Sequence, residues 1–256
     1  MTAADVPVHR PGPRAWLLLI AAEAKMVARD TSGLIVPLGL PLLILVMNGF
    51  SYAGETTADG IDVFELYVMP IALTIVIASV GVINMPSFLV YYRRTKVLRR
   101  LGATPAHPAM ILVAQMVVAA VQSIAGIAVG VAAAMLFFGV GLPTDLGLAL
   151  AVLGLAALTM FAVGMIVAAV APTPSSGVAF GLVGFLLLGA TGGMFGPTEN
   201  LPGPVAAVGE VLPFGAAVQA VGNAWVGLEQ NPAHLLAMVA AIAVSVAIAV
   251  RFFRWE

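Results

Sequence analysis

The sequence predicts an all-α membrane protein: six transmembrane helices, an N-terminal interfacial helix, external re-entrant helices before the last span, and both termini in the cytoplasm. Composition is the first observation behind that reading. Of 256 residues, 61% are apolar and 9% charged, whereas a soluble domain carries about 25% charged residues to cover its core with solvated side chains. Lipid is therefore the solvent for most of the chain, which excludes a soluble enzyme and a nucleic-acid binder. The second observation is a series of stretches free of Asp, Glu, Lys and Arg, at 31–54, 66–92, 101–144, 146–198, 211–228 and 230–250. The third is that six spans sort the charges by sign.

Residues 14–30 are too short and too charged to cross a bilayer. With Trp16–Ile20 toward lipid and Glu23, Lys25, Arg29 and Asp30 in the second half, they form a helix on the cytoplasmic surface. A span needs about 20 residues, so the first two charge-free stretches hold one each, near 33–53 and 64–91. Pro37, Pro41, Pro70 and Pro86 imply kinks there, with freed carbonyls needing other partners. A cytoplasmic loop over 92–108 follows, then one long or tilted span over 109–140. The next stretch is too long for one helix, and Pro172-Thr173-Pro174-Ser175-Ser176 divides it into spans at 147–171 and 177–196. The last span is 234–251, and the whole of 1–256 forms a single transmembrane domain.

The segment 211–228 is ambiguous until orientation is considered. Cytoplasmic segments are enriched in Lys and Arg near the membrane. With six spans, all eleven bases fall inside with four acids, while Glu55, Asp59, Asp62, Glu65, Asp145, Glu199, Glu210 and Glu229 fall outside without a base. A seventh span would carry Arg251 and Arg254 outside. Residues 197–232 are therefore expected to enter the membrane part-way and return, bending at Pro213, Gly215, Gly222, Asn223 and Gly227. Trp16, Tyr91, Tyr92 and Trp255 then lie at the inner interface and Tyr52, Tyr67 and Trp225 at the outer one.

No catalytic constellation is evident. Cysteine is absent and the three histidines, His9, His107 and His234, are far apart, so no metal site is expected. Neither lysine follows a glycine, so the chain cannot hold a phosphate-binding P-loop, and any ATP it uses is bound by another polypeptide. The spans lack the paired ionisable groups of an intramembrane hydrolase or an ion-coupled carrier. They do hold amides. Gln115 and Gln122 share a helical face, and with Asn84 they line a substrate path or tie neighbouring helices together. Small-residue pairs such as Gly126/Gly130 and Gly177/Gly181 allow close helix approach, mostly within the chain.

The loop after the second span is the most informative polar segment. Five bases surround Val97, Leu98 and Leu101, and Pro105 ends a helix of about two turns. It sets topology and meets anionic lipid; its sharper reading is a knob that docks into a cleft on a cytoplasmic partner.

At this loop the sequence resembles the permease subunits of type-2 ABC exporters of the daunorubicin-resistance and polysaccharide-export group, in Lys96-Val97-Leu98-Arg99-Arg100-Leu101-Gly102-Ala103-Thr104-Pro105. Gly192-Gly193-Met194-Phe195-Gly196-Pro197, Leu201-Pro202-Gly203 and Val211-Leu212-Pro213-Phe214 are similar to the segment after that family's fifth span, and Arg29-Asp30 before the proline-bearing first span is a third match. The resemblance implies two permease subunits, identical or not, and separate ATPase subunits that bind ATP and Mg. It implies coupling to the ATPase through Arg94, Lys96, Leu98, Arg99, Arg100, Leu101, Thr104 and Pro105, and through the surface helix. Family members often carry Glu near Thr95-Lys96, where this chain has only bases, and an acidic lining in the partner's cleft is the corresponding expectation.

The expected function is that of the membrane subunit of an ATP-driven exporter in the bacterial plasma (inner) membrane. It moves a hydrophobic or amphiphilic substrate, such as a drug, lipid or glycolipid, outward by alternating access, and is not itself an enzyme. A non-transporting membrane assembly protein and a secondary carrier are the alternatives. An ATPase subunit, a second permease subunit and membrane lipid are the expected partners.

Overall fold

A computed structural model describes residues 11–52, 54–97, 100, 109–196 and 198–252. Nine helices carry the described fold: α1 Pro13–Arg29, α2 Thr31–Tyr52, α3 Phe64–Arg94, α4 Ala109–Phe138, α5 Leu146–Val170, α6 Pro174–Thr191, α7 Gly203–Val211, α8 Pro213–Val226 and α9 Pro232–Phe252. Strands are absent among the described residues; a lone bridge pairs Thr56 with Asp62 in the α2–α3 turn. Six helices, α2 to α6 and α9, are long and apolar enough to cross a membrane. In α3, 78% of the most apolar window is buried, against 17 to 50% in the other five, so α3 is the axis on which the rest assemble. Its core face joins Leu73 and Ile77 to Met160 on α5, Phe214 and Val221 on α8 and Met238 on α9.

Proline explains the irregularity of that axis. Its backbone N–H is missing and its ring collides with the carbonyl four residues back. Widening the helix to an i→i−5 pattern relieves the collision, and α3 does so twice. Phe64–Val68 and Ser79–Asn84 are π-helical, each followed by Met-Pro. Met85 donates to the Val80 carbonyl, and Pro86 cannot continue the series, which strips the Gly81 carbonyl of its expected donor and leaves Val82 none from Pro86. Glycines on neighbouring helices cover these oxygens. A Cβ at Gly164 on α5 would collide with the Gly81 carbonyl, and one at Gly181 on α6 with that of Val82. At the other bulge, a Cβ at Gly222 on α8 would stand 2.5 Å from the Leu66 carbonyl, four residues before Pro70. The proline positions in α3 thus dictate where three other helices carry no side chain. Gly126 of α4 likewise faces Val76 on α3.

Helix starts follow local chemistry. Asp145 caps α5, its Oδ1 accepting from the Leu148 amide at 2.9 Å, and Asp62 Oδ1 accepts from Phe64 N–H at 2.7 Å. Both carboxylates sit at the positive end of a helix dipole. The α6 helix begins at Pro174, three residues before the expected 177, because Thr173 and Ser176 form a reciprocal capping box and Pro174 occupies the first turn without loss. It ends at Thr191, short of the expected 196, where Gly192–Phe195 turn the chain and Gly193 takes a left-handed φ of 91°. Beyond it, α7 and α8 meet at Leu212 with a bend of 74°. The α8 helix is buried from Phe214 to Val218 and contacts α3, α5 and α9. Trp225, expected at the outer interface, is covered by neighbouring helices and 3% exposed, and Thr144 N–H and Oγ1 both donate to its carbonyl.

Candidate functional site: the legs of the basic loop

The loop after α3 takes its direction from its first residues. The α3 helix ends at Arg94, Thr95 Oγ1 donates back to the Tyr91 carbonyl at 2.9 Å, and Lys96 adopts a left-handed φ of 58°, which stops the helix. Arg100 N–H donates to the Lys96 carbonyl at 3.0 Å. The side chains of Arg94, Lys96 and Arg100 are exposed. The other expected coupling residues, Leu98, Arg99, Leu101, Thr104 and Pro105, lie outside the described residues.

Arg93 belongs to the same basic run but turns inward. Its Nη1 donates to the carbonyls of Ala168 at 3.0 Å and Ala169 at 3.3 Å, and its Nη2 to that of Ala171. The end of α5 leaves these carbonyls without helical donors, and Pro172 supplies no N–H. One planar guanidinium satisfies three of them and places a cation at the negative end of the helix dipole.

Beside it lies the feature that sequence reasoning missed. Glu23 on α1 is 5% exposed. Its Oε2 accepts from Tyr92 Oη at 2.6 Å and from Gln115 Nε2, while Tyr92 Oη also lies 3.2 Å from the sulfur of Met26. Tyr92 stands two residues before the end of α3 and Gln115 six residues into α4, so these are the two legs of the basic loop. Burial pushes the Glu23 carboxyl above its ordinary range, and the bonds from Tyr92 and Gln115 oppose that shift in part. Of the two tyrosines expected at the inner interface, Tyr91 is 48% exposed, while Tyr92 is 7% exposed and turned to α1. A signal was present in the sequence: Trp16, Leu19, Glu23 and Val27 follow helical spacing, with one acid inside an otherwise apolar stripe.

Deeper along the same helices the remaining amides converge. Asn84 Nδ2 donates to the Gly33 carbonyl at 3.1 Å and to Gln122 Oε1 at 2.9 Å, and Gln122 Nε2 donates to the same Gly33 carbonyl at 2.7 Å. Gly33 lies four residues before Pro37, whose missing amide frees that oxygen. All three expected path residues, Asn84, Gln115 and Gln122, thus make hydrogen bonds between helices. Asn84 also borders a cavity of about 120 Å3 between α2, α3 and α6, walled by Asp30, Pro37, Ser79, Ser87 and Val178.

Six apolar helices gathered on a central span, with the shorter helix α1 pinned to two of them and a basic loop between its anchors, define a multi-pass membrane protein. The family model for the ABC-2 type transporter matches residues 14–224, and the chain belongs to that family. It is a membrane transport component of an ABC system, and membership implies association with an ABC ATPase subunit. Comparison with curated proteins gives no match.

Proposed function

We propose that this chain is the permease subunit of an ATP-driven exporter that moves a hydrophobic or amphiphilic substrate out of the bacterial cell. The observation that carries the proposal is the exposed basic turn of Arg94, Lys96 and Arg100, held at the end of the most buried helix and beside α1. Closure of a partner ATPase against that turn reaches the α3 axis directly, and α3 is packed against α2, α5, α6 and α8. ATP and Mg are bound by the partner. Two permease subunits alternate access across the plasma membrane, with the basic turn and both termini cytoplasmic. The bent α7–α8 pair forms the re-entrant element on the opposite face. The apolar spans and the cavity at Asn84 favour an amphiphile over a long polar polymer.

The test is purification and reconstitution. The chain is expected to co-purify with a soluble protein bearing G-x-x-x-x-G-K-[ST], and the reconstituted pair to show ATP-dependent transport from a panel of amphiphiles. Reversal of Arg99 and Arg100 to Glu is expected to uncouple ATP hydrolysis from transport while leaving membrane insertion intact. Repeated purification without a nucleotide-binding companion, or unchanged transport in R99E/R100E, sinks the reading.

A further inference from the structure

Among the described residues, Glu23 is the one buried carboxylate. A leucine there would fill the apolar stripe of α1 without the desolvation cost of a buried carboxylate. The carboxylate provides what an apolar residue cannot, namely two directional bonds on one oxygen. Both Tyr92 and Gln115 donate to Oε2, and they stand on opposite legs of the loop, so one atom of the surface helix holds α3 and α4 at a set spacing. Leu89 on α3 and Ile111 and Ala119 on α4 share an apolar cluster, and to that undirected packing the carboxylate adds a directional tie. The chain between the legs runs through fourteen residues from Thr95 to Pro108, long enough to let them part.

We infer that Glu23 is a positioning residue for energy coupling: its Oε2 clasps both legs of the basic loop to α1, so that a displacement received at the loop moves α1, α3 and α4 as one body. The inference rests on the exporter reading and adds to it the residue through which the surface helix takes part. Loss of the clasp lets the loop move without carrying the helices, which separates hydrolysis from transport without removing either machine.

The cysteine-free chain permits a direct test. Spin labels at K25C with V113C, and at K25C with Y91C, report the spacing of α1 from each leg in lipid nanodiscs. Native protein and E23Q are expected to give one narrow distance for each pair. Glutamine keeps an acceptor for Tyr92, and Gln115 meets its amide by turning over. E23L is expected to broaden both distances, and Y92F, which removes one hydroxyl and no packing volume, to broaden the α3 distance more than the α4 distance. In the complex with its ATPase, substrate moved per ATP is expected to fall roughly threefold to thirtyfold in E23L and to recover in E23Q. Narrow distances in both E23L and Y92F, or an unchanged transport ratio in E23L, overturn the clasp. Failure of the native complex to transport with ATP overturns the exporter reading instead, and the distances still decide the clasp.

Discussion

The side-chain amide of Asn84 occupies the role of a backbone amide for Gly33. In a helix without proline the N–H of residue 37 would bond to the Gly33 carbonyl; here Asn84 Nδ2 does so at 3.1 Å from another helix, joined by Gln122 at 2.7 Å. Replacing Asn84 and Gln122 together by Leu is expected to cost about 1–3 kcal/mol, the penalty of a buried polar group left without a partner. Adding P37A restores a local donor and is expected to recover a large part of that loss. Unfolding in detergent, read as a double-mutant cycle between the amide pair and Pro37, checks the coupling; additive effects exclude it.

The glycine contacts on α3 make a second prediction. G164A and G181A each press a methyl group onto a carbonyl released by Pro86, and each is expected to destabilise by about 1–3 kcal/mol. Gly154 on α5 has nothing within 4 Å of a Cβ position, so G154A serves as the control and is expected to be neutral or slightly stabilising. Thermal unfolding midpoints of the three variants give the comparison.

Arg93 is separable from its basic neighbours. R93A leaves the carbonyls at the end of α5 without their donor and is expected to cost about 1.5–3 kcal/mol, while R93K recovers part of this because an ammonium lacks the planar fork. R94A and R100A, whose side chains are exposed, are expected to leave the unfolding midpoint unchanged. A loss in R94A equal to that in R93A contradicts the assignment.

The buried carboxyl of Glu23 sets a pH dependence. Its folded-state pKa lies above the ordinary carboxylate value, so the folded protein binds the proton more tightly than the unfolded chain. The resulting stability is fully present below the unfolded pKa and is lost as pH rises through the raised folded value. Tyr92 and Gln115 face the group. E23Q removes the titration, so its stability relative to native protein is expected to improve from pH 4 towards pH 8. Equal pH profiles for the two proteins would falsify this.

Orientation is open to chemical labelling because the native chain has no cysteine. In intact cells a membrane-impermeant maleimide is expected to react with D59C and E229C, and with K25C and K96C only after permeabilisation. The reverse pattern inverts the assigned topology.

By itself, the sequence determined the number and order of the apolar helices, because stretches without charge have one stable use in a chain with so little polar surface. It also determined the place of the basic loop and the sorting of charges on which orientation rests. Asp62 and Asp145, read only as external acids, proved to be helix caps within reach of sequence rules. Tertiary structure alone decided the site. Glu23, Tyr92 and Gln115 lie on three separate helices, and whether a carboxylate on α1 faces outward or meets a buried amide depends on the helix rotation that packing selects. The same holds for Gly164 and Gly181: the Gly177/Gly181 spacing announced a close contact and nothing marked Gly164, and only assembly on α3 set both against the carbonyls that Pro86 releases. Local patterns report which backbone groups lack partners; the fold determines which distant residue supplies them.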